Sequence, residues 1–181
     1  MTSQEIAQLL QEKFGPAITA AFPTDKHPRV HINAADLRAV ASFLRNDPRL
    51  QFDWLACLTG VDYVASKQMA VIYDLFSLEL KHTFALKAYC SREQPSIPSV
   101  HDLWSAANWH EREVYDMFGI QFPCHPNLTR ILCVEDWVGH PLRKDYVFPK
   151  EYHGIPGNPA MPWDPASKPA PPPPPKAAAK P

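Results

Sequence analysis

Within seven residues, His110, Glu111, Glu113 and Asp116 set an imidazole and three carboxylates on one segment of chain. Such a set could hold a metal, move protons or pair with cations. The same texture continues to Asp145. His125-Pro126, Arg130, Glu135-Asp136, His140-Pro141 and Arg143-Lys144-Asp145 alternate there with Met, Phe, Ile, Leu and Trp. Charged side chains stay in water unless they are paired. The run from Glu111 to Asp145 therefore reads as either a catalytic site or a wet, charge-paired contact with something large.

Each enzymatic version meets an obstacle. His110-Glu111 opens like the zinc-protease HExxH motif, but position 114 is Val and the second ligand is missing. Glu111 and Glu113, two positions apart, diverge by about 160° on a helix, which disfavours paired-carboxylate glycosidase chemistry. His110, Glu113 and Asp116 could bind a metal at helical spacing, with His125 as a further donor; a salt-bridged surface is the plainer alternative. Proline holds the preceding residue extended, so His125 and His140 are each fixed in angle. Each then either bonds to local backbone or transfers protons. The Arg143–Tyr146 run could engage an acidic partner or be a solvated strand end.

Cofactor loops are scarce. No GxGxxG, P-loop or GxSxG pattern occurs, and the chain has only 6 glycines. Cys57, Cys90, Cys124 and Cys133 form no CxxC and no zinc-finger spacing, so they are expected to be buried, reduced, structural thiols. An iron–sulfur cluster held by this chain alone would need clustered thiolates.

The elements that must position the run follow from periodicity. Ile6, Leu9, Leu10 and Phe14 predict a helix over residues 3–14, ended by Gly15-Pro16. Residues 29–32 predict a strand. Asn33 predicts a helix cap with Asp36 as its capping-box-like partner, and Leu37, Val40, Ala41 and Leu44 the inner face, up to Asp47-Pro48. Residues 52–63 are β-capable, with helix not excluded. Residues 69–76 and 81–89 predict an antiparallel pair turning near Leu78-Glu79. The first is apolar on both faces, as a central strand would be. The second buries Phe84, Leu86 and Ala88, and turns Thr83, Ala85 and Lys87 to a wetter face. A last helix is predicted from about Ser99 to Phe118, with Val100, Trp104, Ala107, Glu111, Val114 and Phe118 along its buried stripe. The fold class is α+β: a mostly antiparallel sheet with helices packed on it, then an extended Pro-rich C-terminal tail. The expected divisions are an α+β domain over 1–120, a charged docking extension over 121–153 and the tail over 154–181.

A carboxylate on a buried stripe needs a cation and hydrogen bonds. Arg112, Arg130 and Arg143 are the forks available to Glu111. Glu113 and Asp116 share another face beside Trp109 and repel one another unless a basic group is close.

Bulk properties exclude several classes. The chain has 181 residues, 45% of them hydrophobic, and a formal net charge of -1, so nothing draws it to nucleic acid or anionic lipid. No apolar run approaches the roughly 18 residues that a membrane span needs. The N-terminus lacks the features of a secretory or mitochondrial address, which points to the cytoplasm. About half of the chain's 21 prolines follow Gly154. Proline removes donors and fixes φ, so this stretch is expected to be extended or coil-like. Within it Ala166–Pro181 is expected to be disordered. Residues 150–163, with Tyr152, Ile155, Met161 and Trp163, suit an arm laid along a partner.

The ordered motif then carries a resemblance. Glu111-Arg112-Glu113, Asp116-Met117-Phe118-Gly119-Ile120, His125 to Leu132, and Glu135-Asp136-Trp137 with Gly139 to Tyr146 resemble the C-subunit family of bacterial NADH-quinone oxidoreductase, respiratory complex I. The N-terminal part, a helix, strand and helix followed by residues 52–63, shares the family's look more weakly; together with the motif it covers most of residues 1–150, and the proline-rich end lies outside the motif. The resemblance implies a component of the hydrophilic arm with no cofactor of its own, FMN and iron–sulfur clusters residing in partner subunits. It implies packing on the quinone-site D-subunit, near B and I, at the cytoplasmic side of the cell inner membrane, in the form not fused to that partner. It makes Glu111, Arg112, Glu113, Asp116, His125, Pro126, Arg130, Glu135, Asp136, His140, Pro141, Arg143, Lys144 and Asp145 structural or interface residues rather than catalytic ones. Glu111 is expected to pair inside the domain, and Glu113 and Asp116 across an interface with a partner. A related component of membrane-bound hydrogenase complexes and a stand-alone metal enzyme are the rival readings.

Overall fold

Thr2 starts the first helix by accepting from the Glu5 N–H, while the Glu5 carboxylate accepts from the Thr2 N–H, a reciprocal capping box. The computed structural model describes residues 1–156. Helix α1 spans Ser3–Phe14 and stops at Gly15. Strand β1 (Ile18–Phe22), which the sequence does not announce, follows through a single 3₁₀ turn. It pairs antiparallel with β2 (Arg29–Asn33). Asn33 makes no side-chain cap bond, because a 3₁₀ turn over Ala34–Asp36 intervenes before α2 (Leu37–Asn46). The inner face of α2 is as expected: Leu37, Val40, Ala41 and Leu44 are all buried.

Three longer strands make the body of the sheet: β3 (Trp54–Tyr63), β4 (Gln68–Phe76) and β5 (Thr83–Ser91). The order is β1-β2-β5-β4-β3, so β4 and β5 are central. All pairings are antiparallel except β2 with β5. Val30, Ile32, Leu58, Val71, Tyr73, Leu75, Leu86 and Ala88 alternate onto one face, where they join α1, α2 and helix α3 (Ala107–Phe118) in one apolar core. The expected wetter face of β5 is drier than alternation suggests. Ala85 and Lys87 are buried too, since Lys87 Nζ donates to Tyr63 Oη and lies over the Tyr63 and Tyr89 rings.

The last helix is shorter than its pattern. Residues 99–106 are non-helical, with turns at 101–103 and 105–106, and helix begins only at Ala107. Val100 and Trp104 are buried nonetheless; the Trp104 indole N–H reaches the Phe52 carbonyl at 2.8 Å. The extension expected over 121–153 is divided. Residues up to Tyr146 belong to the same compact unit as the sheet, and a second unit starts at Val147. In that second unit β6 (Glu151–Tyr152) and β7 (Ile155–Pro156) form a two-stranded hairpin. The expectations for residues 157–181 lie outside the described residues.

Candidate functional site

The end of α3 shows how the charged run is built. The last four carbonyls of a helix lack partners within it. Here each finds one. The Gly119 N–H meets the Tyr115 carbonyl at 2.8 Å, and His140 Nδ1 meets Asp116 O at 2.9 Å. The Leu142 N–H meets Met117 O at 3.1 Å, and Arg143 Nε meets Phe118 O at 2.6 Å. Three of the four donors come from residues 140–143, so the extension caps the helix. A cation at a helix C-terminus also suits the dipole there. Gly119 makes the turn possible at φ +75°, and a Cβ there would stand 2.4 Å from His140 Nε2. Gly119→Ala is expected to cost about 2 kcal/mol by combining left-handed strain with displacement of His140. A shift in the urea midpoint at unchanged m checks it.

Asp116 is fully buried. Its Oδ2 accepts from the N–H groups of Ile131, Leu132 and Cys133 at 3.1, 2.8 and 2.8 Å, and its Oδ1 from Arg130 Nη1 at 3.2 Å. Burial alone would raise this carboxyl, but the three backbone donors and the Arg130 charge outweigh it and hold it below the usual carboxylate range. Arg130 also donates to the Gly139 carbonyl at 3.0 Å. Asp116 therefore does not reach across an interface as expected; it folds the extension back on α3.

A second tie fixes the far end. Asp62, buried on β3, takes both Arg92 donors at 2.7 and 3.0 Å and the Lys144 N–H at 2.9 Å. Arg92 Nη2 also reaches Asp145 at 2.6 Å. The Arg92 fork holds the Asp62 carboxyl low. Neither Asp62 nor Arg92 stands out in sequence. Arg143, the Lys144 N–H and Asp145 are thus internal ties and not a solvated strand end.

Glu111 is fully buried, as its place on the stripe requires, but none of the three expected arginines pairs with it. Its carboxylate accepts from Ser99 Oγ and, at 2.8 Å, from the Val100 N–H. His125 Nε2 stands 4.0 Å away. Burial pushes the Glu111 carboxyl up to about 7, against the two hydrogen bonds. The expected forks are used elsewhere. Arg112 holds Thr129 through its carbonyl and hydroxyl at 3.1 and 2.9 Å and lies over the Trp109 ring, while Arg130 and Arg143 tie the extension.

The histidines are structural in geometry. His125 Nδ1 accepts from the Asn127 N–H at 3.1 Å, so its Nε2 carries the proton to the Asn108 carbonyl at 3.1 Å. Burial lowers the pKa of both His125 and His140. His110, Glu113 and Asp116 do not converge on a metal: Asp116 is enclosed, and Glu113 is exposed with its Oε2 4.0 Å from His110. Among the described residues no cluster of three or more metal-ligating side chains occurs. The cysteines are free, but Cys124 is exposed and the other three only half-buried, a correction to the buried expectation. Pro126, Pro141, Glu135 and Asp136 lie along the partly or fully exposed course of the extension.

Arg130 and Arg143 turn toward the domain, and Glu135, Asp136, Lys144 and Asp145 stay at the surface, where the extension also presents aliphatic side chains. Leu132, Val134, Val138 and Leu142 are exposed, Val138 by 85%. Among the described residues no helix is long and apolar enough to cross a membrane.

The chain is 46% identical over 150 residues to the NADH-quinone oxidoreductase C-subunit of Chloroherpeton thalassium, covering 82% of this chain and 62% of that protein. It is 47% identical over 149 residues to the C-subunit of Chlorobium phaeobacteroides, covering 81% and 90%. Among solved structures, a trypsin-resistant fragment of Nqo5 superposes with a TM-score of 0.59 at 29% identity, over 70% of this chain and all of that one. A chain of an archaeal membrane-bound sulfane sulfur reductase shares the fold at a TM-score of 0.66 and 22% identity, over 80% and 85%. Residues 30–152, which hold most of the sheet, α3 and the tied extension, match the family described as the respiratory-chain NADH dehydrogenase 30 Kd subunit, and the chain belongs to that family.

Proposed function

We propose that this chain is a non-redox structural component in the peripheral arm of a proton-translocating NADH:quinone oxidoreductase. It docks on the quinone-site D-subunit, close to B and I, at the cytoplasmic side of the cell inner membrane. FMN and the iron–sulfur clusters belong to its partners. The observation that carries the reading is the tied extension. An irregular segment is held in one shape by buried charges, and among its exposed charged residues it shows the aliphatic side chains of Leu132, Val134, Val138 and Leu142. Charged motif residues thus shape the surface, and apolar ones would meet the partner.

The reading is tested with Leu132→Asp and Val138→Asp in the complete enzyme. Both sites are exposed, so the folded chain should keep its stability within about 0.5 kcal/mol. The expected result is several-fold less co-purifying D-subunit and less assembled enzyme, with near-normal turnover in what does assemble. Full assembly in the double variant sinks the docking role.

A further inference from the structure

The helices leave one face of the sheet uncovered, and a cavity of about 470 Å³ opens on it. Trp54, Asp74, Phe76, Leu78, His27 and Pro28 are among its lining residues. The register explains the grouping. Trp54, Phe76 and Thr83 are direct cross-strand neighbours, and Asp74 opposes Ala85, which opposes Arg29. Large aromatic side chains stand beside small ones, and the difference in height is the hollow.

The cavity is preformed. Its rim is the β4–β5 turn, in which the Ser77 N–H reaches His82 O at 3.0 Å and the Lys81 N–H reaches Ser77 O at 2.9 Å. The Leu78 N–H is held by Asp53 at 2.9 Å. Trp54 and Leu78 are nevertheless more than half exposed, at 54% and 55%. That apolar area is left uncovered on a rigid frame.

Asp74 is the single carboxylate among these lining residues. It is half-buried, and among the described residues no hydrogen bond or ion pair reaches its side chain. Burial raises its pKa, and His27 on the rim acts on it weakly in the other direction. An apolar plug in this hollow would seal in an unpaired carboxylate, which is costly. A lysine ammonium is strongly hydrated and gains little from an aromatic wall. A guanidinium is weakly hydrated, forks onto carboxylates and stacks on indole.

We propose that this cavity receives an arginine side chain of a partner protein, its guanidinium pairing with Asp74 and stacking on Trp54, its stem lying along Phe76 and Leu78. The proposal concerns a different face from the extension, so its failure leaves the docking role untouched.

The test uses the full chain and three small probes: the N-acetyl methylamides of arginine, lysine and citrulline. Citrulline has the shape of arginine without its charge. Binding is read from the Trp54 indole N–H signal, assigned with Trp54→Phe. The expected result is saturable millimolar binding of the arginine probe, at least about tenfold tighter than that of citrulline, with lysine between them. Asp74→Asn should erase the difference while leaving the spectrum otherwise folded. Equal binding of arginine and citrulline, no saturation by arginine, or an unchanged preference in Asp74→Asn overturns the proposal. A second arm identifies the source. Carbodiimide labelling of Asp74 should proceed in the isolated chain and be blocked in the assembled enzyme. Equal labelling in both removes the partner arginine.

Discussion

Asp116→Asn should destabilise the chain by about 3–5 kcal/mol, the range for breaking one side of a buried charged pair. The substitution keeps size and shape. It removes the charge that Arg130 faces, and it cannot present acceptors to Arg130 and to three backbone N–H groups together. Whichever way the amide turns, its own N–H₂ meets other donors. The effect should be local first. Hydrogen exchange at the Ile131, Leu132 and Cys133 amides should rise by orders of magnitude, while that of β4 and β5 changes only through global unfolding. Glu113→Gln, on the same helix but exposed, is the control and should stay within about 0.5 kcal/mol. If the three amides remain protected in Asp116→Asn, the nest does not hold the extension. Because the Asp116 carboxyl is held low, this stabilisation is present above the unfolded-state pKa near 4. It is lost only as pH falls through the folded value.

Glu111 should behave in the opposite sense. Its folded pKa of about 7 lies above the ordinary glutamate value, so between about pH 4.5 and 7 the folded chain binds more protons than the unfolded one. Its contribution is fully present below the unfolded pKa and is lost as pH rises through the folded one. The loss from pH 4.5 to 8 is of order 3 kcal/mol. Asp102 and Arg38 act on the group from outside with opposite signs, and His125 and the Tyr73 hydroxyl are its buried neighbours. Glu111→Gln should flatten the profile over this window, since an amide can accept from the Val100 N–H and donate to Ser99. Urea titrations of both proteins at pH 5 and 8 decide it: parallel losses remove Glu111 from the linkage. Glu111→Ala is harsher. It strands the Val100 N–H in the core and leaves the Ser99 hydroxyl with His101 alone, and should lower the amount of assembled enzyme while the assembled fraction keeps near-normal turnover. Normal assembly with abolished turnover would make Glu111 a participant in the chemistry.

The two errors about Glu111 have one origin. If residues 99–118 are a continuous helix, Val100 and Glu111 lie about 16 Å apart along one rod and cannot touch. Glu111 must then look to arginines. Since residues 99–106 are non-helical, the Val100 N–H comes back over the carboxylate and the arginines are released to other work. Apolar spacing could not separate these cases, because Val100, Trp104 and Ala107 are buried either way. The inner face of α2 was legible because it follows a single period, and the β4–β5 pair because two β-rich runs flank one short turn. Strand β1 was not: only Ile18 of its five residues is buried, and its edge position leaves no alternation to read. Asp62 and Arg92 were invisible for another reason. They are 30 positions apart, and only the sheet brings them to Lys144 and Asp145. That the charged run is built for something was plain from composition. That Glu111 and Asp116 are buried, and that Arg112, Arg130 and Arg143 bond within the domain, depends on tertiary geometry, which spacing does not encode.

The nest around Asp116 also sets an order of events. The carboxylate belongs to α3, and α3 acquires its buried faces only by packing on the sheet. The aliphatic display of residues 132–142 therefore has no fixed form before the domain exists. On the proposed docking role, a chain still unfolded would offer its partner nothing to recognise, so recognition of that display would double as proofreading.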